Sequence, residues 1–313
     1  MIEFYKTINS KVQLMDKVED GCWINIVDPT REELEYIIKE LNIEPSFLNS
    51  ALDEEESSRI KSEEDQVLII VDVPITDQQT ENTIIYLTMP VGIIISNNHI
   101  ITVAVKPHAV LKEMADGTIK NVQTGLKTRF VFMMLLRIVS RFLQHLRQID
   151  KIQNLMEKQL QRYMKNKDLF QMLGIEKSLV YFSTALKANE ATIEKILRGR
   201  IIKLYEDDQD ILEDVLIEIK QAIDMTSTYS GILSSIMDIF ASIISNNLNI
   251  TMKILTSVTI VMAIPNIVTG FFGMNVKLPF EDSGYWGLSM IIVIIITITI
   301  VALKIMMKKD MFR

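Results

Sequence analysis

Cysteine and histidine are scarce in this chain of 313 residues, and each scarcity excludes a class of site. The single cysteine, Cys22, cannot form an internal disulfide or a cysteine-based metal cluster. His99, His108 and His145 are too widely separated to have the spacing of a transition-metal site or a histidine-based catalytic centre. No P-loop, Gly-rich dinucleotide fingerprint or nucleophile elbow is present. We therefore expect that the protein is not an enzyme and does not hydrolyse ATP.

The chain is acidic overall, and no signal peptide is recognisable in its sequence. With 33 basic and 40 acidic residues the formal net charge is −7, which argues against general nucleic-acid binding. The N-terminal residues 1–21 are polar and of mixed charge, without the apolar core of a signal peptide. We expect no nucleic acid among the partners, and we expect the soluble part of the chain to lie in the cytoplasm.

Two long apolar runs, residues 252–272 and 286–307, lie near the C-terminal end. Each has about 20 residues, enough to cross ~30 Å of hydrocarbon at ~1.5 Å per residue. Basic residues cluster at the end of the second run, and such residues stay on the cytoplasmic side and anchor at the interface. The sequence therefore predicts a multi-pass protein in the lipid bilayer, with a transmembrane hairpin and both termini in the cytoplasm. The basic tail residues are Lys304, Lys308 and Lys309.

The first third of the chain mixes strand and helix patterns. A β-rich run at 22–27 is followed by Thr30, which is placed to cap a helix over 31–41 with Glu33 in the capping-box position. A second short helix is predicted at 47–52. Further strands are predicted at 66–73, where Pro74 ends the strand, and at 83–89, 91–96 and 99–105. This mixture predicts an α/β sandwich.

Long helical patterns replace the strands after about residue 125. Helices are predicted at 127–164 and 169–197, and a third is predicted to begin at Asp207 or Asp208 and to continue into the first apolar run. Gly231 costs this helix about 1 kcal/mol but does not end it. A helix of about 60 residues is ~90 Å long, and one chain cannot bury it, so we expect oligomerisation.

These features predict an α+β membrane protein with six segments. An α/β domain covers 1–124 and a long helical stalk region covers 125–251. The first transmembrane helix covers 252–273 and is followed by an extracytoplasmic loop at 274–285. The second transmembrane helix covers 286–307, and the basic cytoplasmic tail covers 308–313.

Polar residues are concentrated in the first apolar run. At helical spacing they share one stripe with small and apolar residues, whereas the second run is dominated by Ile and Val. Polar side chains in a membrane helix face a bundle interior or water. The predicted stripe comprises Asn249, Met252, Leu255, Thr259, Ala263, Asn266 and Gly270.

Several motifs together resemble those of the CorA family of magnesium transporters. The resemblance is carried by Ile264-Pro265-Asn266, by Gly270 and by Phe272-Gly273-Met274-Asn275 in the first apolar run. It extends upstream to Trp23-Ile24, Asp28-Pro29-Thr30, Leu52-Asp53 with Glu55 and Arg59, and 176–182 with Asn189. The chain departs from the family pattern at Asn266, where threonine is common.

The resemblance implies a homopentameric funnel in the cell (inner) membrane, with the predicted stripe lining one central pore. It implies passive Mg²⁺ uptake, with Co²⁺ and Ni²⁺ as further permeant divalent cations, and gating by intracellular Mg²⁺. Gly273, Met274 and Asn275 would form the selectivity filter, because Mg²⁺ releases its waters reluctantly and amide oxygens can accept hydrogen bonds from them. The alternative is that Gly273 only caps the helix and Asn275 is only a turn residue. Asn266 either adds a second polar ring or bonds carbonyls freed by Pro265.

A run of acidic residues at 206–218 is the other candidate site. The resemblance maps a regulatory Mg²⁺ site onto this run at Asp214, with a carboxylate of a neighbouring subunit, for which Asp72 is the candidate, as its partner. Bound Mg²⁺ would favour a closed pentamer, and its loss would let the carboxylates repel and open the pore. The alternative is a helix start rich in acids for dipole reasons, with a solvated face.

Two rival functions remain open from the sequence. One is zinc transport, since a related branch of the same superfamily carries zinc and has a variant of the Gly-Met-Asn tripeptide. The other is a membrane-anchored coiled-coil protein with a structural or signalling role, which would form a dimer or trimer and would not conduct ions.

Overall fold

The structure is a computed structural model that describes residues 1–63, 65–80, 83–160, 166–198, 201–202, 204–274 and 284–309. The chain divides into two compact units, Met1–Ser234 and Ser235–Arg313. The first unit contains all of the described strands, and the second contains the two apolar runs.

The first unit is built on one seven-stranded sheet. In chain order the strands are β1 (Ile2–Ile8), β2 (Lys11–Met15), β3 (Trp23–Val27), β4 (Arg59–Glu63), β5 (Gln66–Thr80), β6 (Thr83–Ile95) and β7 (Ile100–Ala104). They lie side by side in the order β2-β1-β3-β7-β6-β5-β4. The central pair, β3 and β7, is parallel, and every other neighbouring pair is antiparallel.

Seven described helices accompany the sheet. They are α1 (Arg31–Leu41), α2 (Pro45–Ala51), α3 (Ala109–Ala115), α4 (Lys127–Leu160), α5 (Asn166–Leu197), α6 (Glu206–Phe272) and α7 (Gly284–Lys308). The prediction for α1 is confirmed to the residue, and the capping box forms as predicted. The Glu33 amide donates to Thr30 Oγ1 at 3.3 Å, and the Thr30 amide donates to the Glu33 carboxylate at 2.9 Å.

Helices cover both faces of the sheet. Ile24 and Ile26 of β3 belong to a buried core with Phe47 and other residues of α1 and α2. Successive strand residues face opposite sides, so Trp23 faces the other way, and its ring lies 5.2 Å from that of Phe130 on α4. The predicted α/β sandwich is therefore observed, with α1 and α2 on one face and the long helices on the other.

Two predicted strand boundaries are wrong. β5 does not end at Pro74, and the two strands predicted at 83–89 and 91–96 form the single strand β6, which continues through Pro90. Asp72 pairs with Pro90 and Pro74 pairs with Thr88. The Asp72 amide donates away from β6, to Asn189 on α5, so these alternate pairs exchange no ladder hydrogen bonds. Both prolines therefore occupy positions where the ladder needs no N–H donor.

The long helices follow the predicted pattern with shifted ends. α4 ends at Leu160 in the described chain, and the last residues predicted for it, 161–164, lie outside the described residues. α5 begins at Asn166, three residues earlier than predicted. α6 is one helix of 67 residues that continues through Gly231 and Pro265, as the sequence predicts.

Within the first unit, α6 buries one face and exposes the other. Leu212, Val215 and Ile219 are completely buried, at a spacing of three and four residues. The Ser140 hydroxyl of α4 donates to the Glu218 carboxylate at 3.3 Å, and Gln153 donates to the Tyr229 carbonyl at 2.9 Å, so polar contacts add to this packing.

The second unit contains the helices that correspond to the predicted membrane spans. Among the described residues, Asp208–Phe272 of α6 and Gly284–Lys308 of α7 are long and apolar enough to cross a membrane. α7 extends the predicted span of 286–307 by two residues at its start and by one at its end.

Candidate metal-ion sites

The predicted pore-lining stripe lies on the C-terminal part of α6. Six of its residues are exposed in the single chain, and Ala263 is half-buried. At about 100° per residue the seven positions fall within roughly a third of the helix circumference. An apolar helix face of this length needs a cover of lipid or of other helices. The residues of this stripe are Asn249, Met252, Leu255, Thr259, Ala263, Asn266 and Gly270.

Threonine hydroxyls on this part of α6 are satisfied by their own helix. Thr259 donates to the Leu255 carbonyl at 2.8 Å, and Thr269 donates to the Pro265 carbonyl at 2.9 Å. Each hydroxyl proton is thereby used, while the oxygen keeps lone-pair capacity to accept a hydrogen bond. Thr259 can therefore offer an acceptor to a hydrated cation without leaving an unpaired donor in the helix.

Asn266 makes no hydrogen bond to a carbonyl freed by Pro265 among the residues that the structure describes, and its side chain is exposed. Proline at this position cannot donate to the carbonyl four residues earlier. The Thr269 hydroxyl, which donates to the Pro265 carbonyl, has a further contact of 3.2 Å to the Asn266 carbonyl. The Asn266 amide is therefore available to groups outside its own helix.

Gly273 follows the last residue of α6. Its amide donates to the Thr269 carbonyl at 2.9 Å, and its φ angle is not in the left-handed region. A Cβ atom at this position would lie 3.1 Å from the Thr269 carbonyl oxygen, which is tighter than about nine in ten real contacts of this kind. Gly273 is therefore not a left-handed cap, and its lack of a Cβ atom avoids a tight contact with the preceding helical turn.

Met274, the next residue of the predicted filter, is exposed, and its amide approaches the Phe271 carbonyl at 3.4 Å. Asn275, the third residue, lies outside the described residues. The assignment of Gly273, Met274 and Asn275 as a filter stays a prediction.

Asp72, the predicted regulatory carboxylate on β5, lies in a polar cluster with Asn189 of α5 and Ser58. The Asn189 side chain accepts the Asp72 amide proton at 2.9 Å and donates to the Asp72 carbonyl at 2.9 Å. β4 begins at Arg59, opposite Ile70, so Asn189 pairs with β5 just beyond the end of β4. One side chain thus replaces two ladder bonds at this margin of the sheet.

Ser58 lies between the two polar groups of this cluster. Its hydroxyl oxygen is 3.0 Å from Asp72 Oδ2 and 2.8 Å from Asn189 Oδ1. A hydroxyl has one proton, so it donates to only one of these acceptors at a time. Burial raises the pKa of Asp72, and the Ser58 hydrogen bond partly opposes this effect. Its carboxylate is therefore costly to ionise alone, and a cation brought close would favour the charged form.

Asp214, the other predicted regulatory residue, lies on the exposed face of α6, opposite the buried face of that helix. The neighbouring exposed residue on this face is Ile217, which is 65% exposed. Among the described residues, no group of three or more His, Cys, Asp or Glu side chains is placed to hold a metal ion. The structure of one chain does not bring Asp72 and Asp214 into contact, and their pairing was predicted between subunits, so it stays a prediction.

The basic tail begins inside α7. Lys304 and Lys308 belong to that helix, and the Lys309 amide donates to the Ile305 carbonyl at 3.1 Å. The last residues of the predicted tail, 310–313, lie outside the described residues.

The sequence did not assign a role to Ser58, and it noted Asn189 only through the family resemblance. Asn189 is 1% exposed on a helix whose buried neighbours include Leu186 and Ile193. A buried side-chain amide requires hydrogen-bonding partners. An asparagine at a core position of an apolar helix pattern therefore indicated a polar cluster. The identity of its partners, 117 and 131 residues away, was not contained in that signal.

The fold and the two apolar helices define the class of the protein. It is a helical membrane protein with an α/β unit built on a seven-stranded sheet. The model of the family described as "CorA-like Mg²⁺ transporter protein" matches residues 18–309. The chain belongs to this family.

Individual relatives agree with this assignment. The cobalt/magnesium transport protein CorA of Methanocaldococcus jannaschii is 33% identical over 291 residues, which cover 88% of this chain and 87% of the relative. The solved structure of the complete CorA magnesium transporter from M. jannaschii aligns with a TM-score of 0.83 at 27% identity, over 97% of this chain and 96% of that chain.

One further solved structure is similar in fold alone. The cytoplasmic domain of ZntB from Vibrio parahaemolyticus aligns with a TM-score of 0.63 at 9% identity, over 78% of this chain and 98% of that chain. At this identity the likeness carries no information about the transported ion.

Proposed function

We propose that this chain forms a passive channel for Mg²⁺ uptake, through which Co²⁺ also passes. The observation that carries the proposal is membership of the CorA-like family over residues 18–309, together with a close full-length relative named for both ions. The members of this family are transporters rather than enzymes, and this also speaks against a purely structural or signalling role.

The proposed pathway follows the exposed stripe of α6. Copies of α6 arranged around an axis would turn the stripe toward that axis. Met252 and Leu255 would then form apolar constrictions of the pore, and Thr259 and Asn266 would meet water. We propose a pentamer, as the family resemblance implies. The pentamer would sit in the cell membrane with the α/β unit and both termini in the cytoplasm and with α7 facing lipid. An inside-negative potential then draws in a divalent cation with about 4.6 kcal/mol per 100 mV.

Selection is proposed to occur at Gly273, Met274 and Asn275. Neither apolar run contains Asp or Glu within its span, so direct coordination of a dehydrated ion by carboxylates is not the expected mechanism. Amide and carbonyl oxygens would instead accept hydrogen bonds from the waters of a hydrated Mg²⁺. A ring of Asn275 side chains would supply these acceptors, and Ni²⁺ would pass by the same chemistry.

Gating is proposed to depend on internal Mg²⁺ held between Asp214 of one subunit and Asp72 of the next. Asp214 is exposed on α6, and the half-buried Asp72 carboxyl has a raised pKa. A divalent cation between the two carboxylates would offset their mutual repulsion and the cost of ionising the half-buried Asp72. Loss of the cation would favour separation of the subunits.

Flux through proteoliposomes tests the transport proposal. The purified full chain is reconstituted, and entry of Mg²⁺, Co²⁺, Ni²⁺ and Zn²⁺ is followed with ion-sensitive dyes under an imposed inside-negative potential. We expect Mg²⁺ entry that Asn275→Ala abolishes or sharply alters and that Ser283→Ala, in the same loop, leaves unchanged. Flux of Zn²⁺ alone would establish the zinc alternative, and normal Mg²⁺ flux in Asn275→Ala would remove the filter assignment.

Native mass spectrometry in detergent tests the assembly. We expect a pentamer, while a dimer or trimer without conductance would favour the structural or signalling alternative.

A further inference from the structure

A cavity of about 500 Å³ lies in the first unit, beside the carboxyl ends of the central strands β3 and β7. Its lining includes Val27 and Asp28, at and just beyond the end of β3, and Pro107 and His108, which follow β7. Its volume falls within the range of small-molecule sites, about 300–1,000 Å³.

The topology explains why a crevice forms here. β3 and β7 are the parallel pair of the sheet, and the chain leaves them toward opposite faces. After β3 it enters α1, which packs on the face of Ile24. After β7 it enters α3, whose Glu113 forms salt bridges with Arg137 and Arg141 of α4 on the other face. The cavity lies on the α3 side of this divergence, between α3 and the sheet face that carries Asn25. It is beside the carboxyl ends of the two strands, where ligands bind in open α/β sheets.

His108 is a buried polar side chain of the cavity that lacks hydrogen-bond partners among the described residues. The residue is 8% exposed, and neither ring nitrogen meets a hydrogen-bond partner among the residues that the structure describes. Burial lowers the pKa of His108 to about 4, so the ring is neutral at physiological pH and offers one donor and one acceptor. A buried polar group left without a partner is destabilising, so a ligand that meets these nitrogens binds with an advantage.

Glu3 is the second feature, and a directed chain of hydrogen bonds holds it. The Trp23 indole N–H donates to Thr102 at 2.9 Å, and the Thr102 hydroxyl donates to the Asn25 side-chain oxygen at 3.0 Å. The Asn25 amide then donates to the Glu3 carboxylate at 3.2 Å. Trp23, Thr102 and Asn25 are all buried. Each donor in this series of hydrogen bonds points toward Glu3, so the Glu3 carboxylate is oriented before any ligand binds.

The charge and the lining restrict what can bind. Three carboxylates, those of Glu3, Asp28 and Asp116, line the cavity with two cations. The cations are Lys112 and the N-terminal ammonium group of Met1, and the latter is already paired with Glu33 at 2.9 Å. This excess of negative charge disfavours an anion. A bare metal ion is also disfavoured, because no metal-binding group of three ligands exists among the described residues. Apolar atoms complete the lining, notably those of Leu111 and Ala115.

We propose that this cavity binds a small organic ammonium cation with a short apolar body, whose ammonium group donates to Glu3 and whose polar end meets His108. The site lies entirely within the first unit and does not depend on ion transport by the second. The ligand class is that of aliphatic amines and diamines, which carry concentrated positive charge on a flexible hydrocarbon chain and so match carboxylates at the edge of an apolar wall.

Calorimetry on the detergent-solubilised full chain tests this proposal. The probes are 1,4-diaminobutane and butylamine, with succinate as the anionic counterpart and MgCl₂ present at constant concentration in both cell and syringe. We expect saturable binding of one amine per chain and none of succinate. We also expect Glu3→Gln and His108→Leu each to weaken the affinity about tenfold or more, an amount that corresponds to ~1.4 kcal/mol.

Matched variants separate the cavity from general attraction to an acidic protein. Glu40→Gln removes an exposed carboxylate on α1, outside the cavity, and binding should be unchanged. Asp116→Asn removes an exposed carboxylate of the cavity at little risk to folding, and it should weaken binding even where Glu3→Gln fails to fold. Thermal unfolding of every variant verifies its fold.

Three outcomes would overturn the proposal: no saturable heat with either amine, equal effects of Glu40→Gln and Asp116→Asn, or preferred binding of succinate. Loss of Mg²⁺ flux in proteoliposomes leaves this measurement untouched, so failure of the transport proposal and failure of this one are distinguishable.

Discussion

The side chain of Asn189 on α5 hydrogen-bonds both the amide and the carbonyl of Asp72 on β5, each at 2.9 Å. This contact joins a long helix to the margin of the sheet 117 residues earlier in the chain. It also fixes the backbone at the carboxylate that we assign to regulation, because the Asp72 side chain projects from the same residue.

Replacing Asn189 by alanine should therefore destabilise the first unit. The change leaves the Asp72 amide and carbonyl without partners in a half-buried place, and we expect a loss of about 2–4 kcal/mol. The midpoint of thermal or urea unfolding of the full chain in detergent measures it. Lys187→Ala, an exposed change on the same helix, is the control and should shift stability by less than about 0.5 kcal/mol. Equal midpoints for both variants would contradict the role of this contact.

Two glycines should respond in opposite ways to alanine. At Gly92 on β6 an added Cβ would lie 2.3 Å from the Cβ of Ala51 on α2, and 3.3 Å from its Cα. Helix α2 must then move off the sheet, so Gly92→Ala should cost at least about 2 kcal/mol. At Gly231 within α6 nothing lies within 4 Å of an added Cβ, and Gly231→Ala should gain about 0.5–1 kcal/mol through helix propensity. Unfolding midpoints of the pair test both directions, and a Gly92→Ala protein as stable as the parent would refute the close packing of α2 on β6.

Stability should fall in mildly acidic solution through His108. Burial lowers its pKa to about 4 in the folded chain from an ordinary value of 6.5. Between these values the unfolded chain binds a proton that the folded chain does not, so the free energy of unfolding decreases as the pH is lowered from 6.5 to 4. The full effect of this single group is about 3 kcal/mol. His108→Leu lacks this titration, and its stability should fall less over the same window. Unfolding curves for the two proteins at pH 7, 6 and 5 decide the matter, and a constant difference between them would contradict the buried neutral state.

Reversing the charge at Asp214 should weaken closure by internal Mg²⁺. Asp214→Lys places a cation where we propose that Mg²⁺ binds between subunits, so the channel should remain open or leaky at internal Mg²⁺ concentrations that close the parent. Asp72→Asn should act in the same direction, because it keeps an acceptor for Ser58 but removes the charge. Asp224→Lys, the same charge reversal at an exposed residue of α6 outside the acidic run, serves as the control. Flux into liposomes loaded with graded Mg²⁺ is the measurement, and unchanged inhibition in Asp214→Lys would argue against the site.

Local signals in the sequence predicted much of the helical structure. Thr30 and Glu33 form a capping box because the interaction spans only three residues, and α1 begins and ends where predicted. The near absence of glycine and proline likewise predicted the continuity of α6. Such signals need no knowledge of the rest of the fold.

Elements that depend on distant partners were missed or misjudged. β1, β2, β4 and α3 were not predicted, and the residues of β1 and β2 are only half-buried or exposed, so their apolar pattern is weak. Pro74 was wrongly predicted to end a strand. Whether proline ends a strand depends on the side to which its nitrogen points, and only the pairing of Pro74 with Thr88 reveals that side. The same reason hid the Ser58 cluster, whose members meet only after the sheet and α5 have come together.

The two prolines of the β5–β6 hairpin have a consequence for the buried backbone. Pro74 and Pro90 face opposite margins of the ribbon, beyond the places where β4 and β7 stop, and both are buried. An ordinary residue at either position would bury an N–H group that no neighbouring strand could accept. Proline has no such group, so the ribbon can outrun its neighbouring strands without leaving an unpaired donor inside the unit.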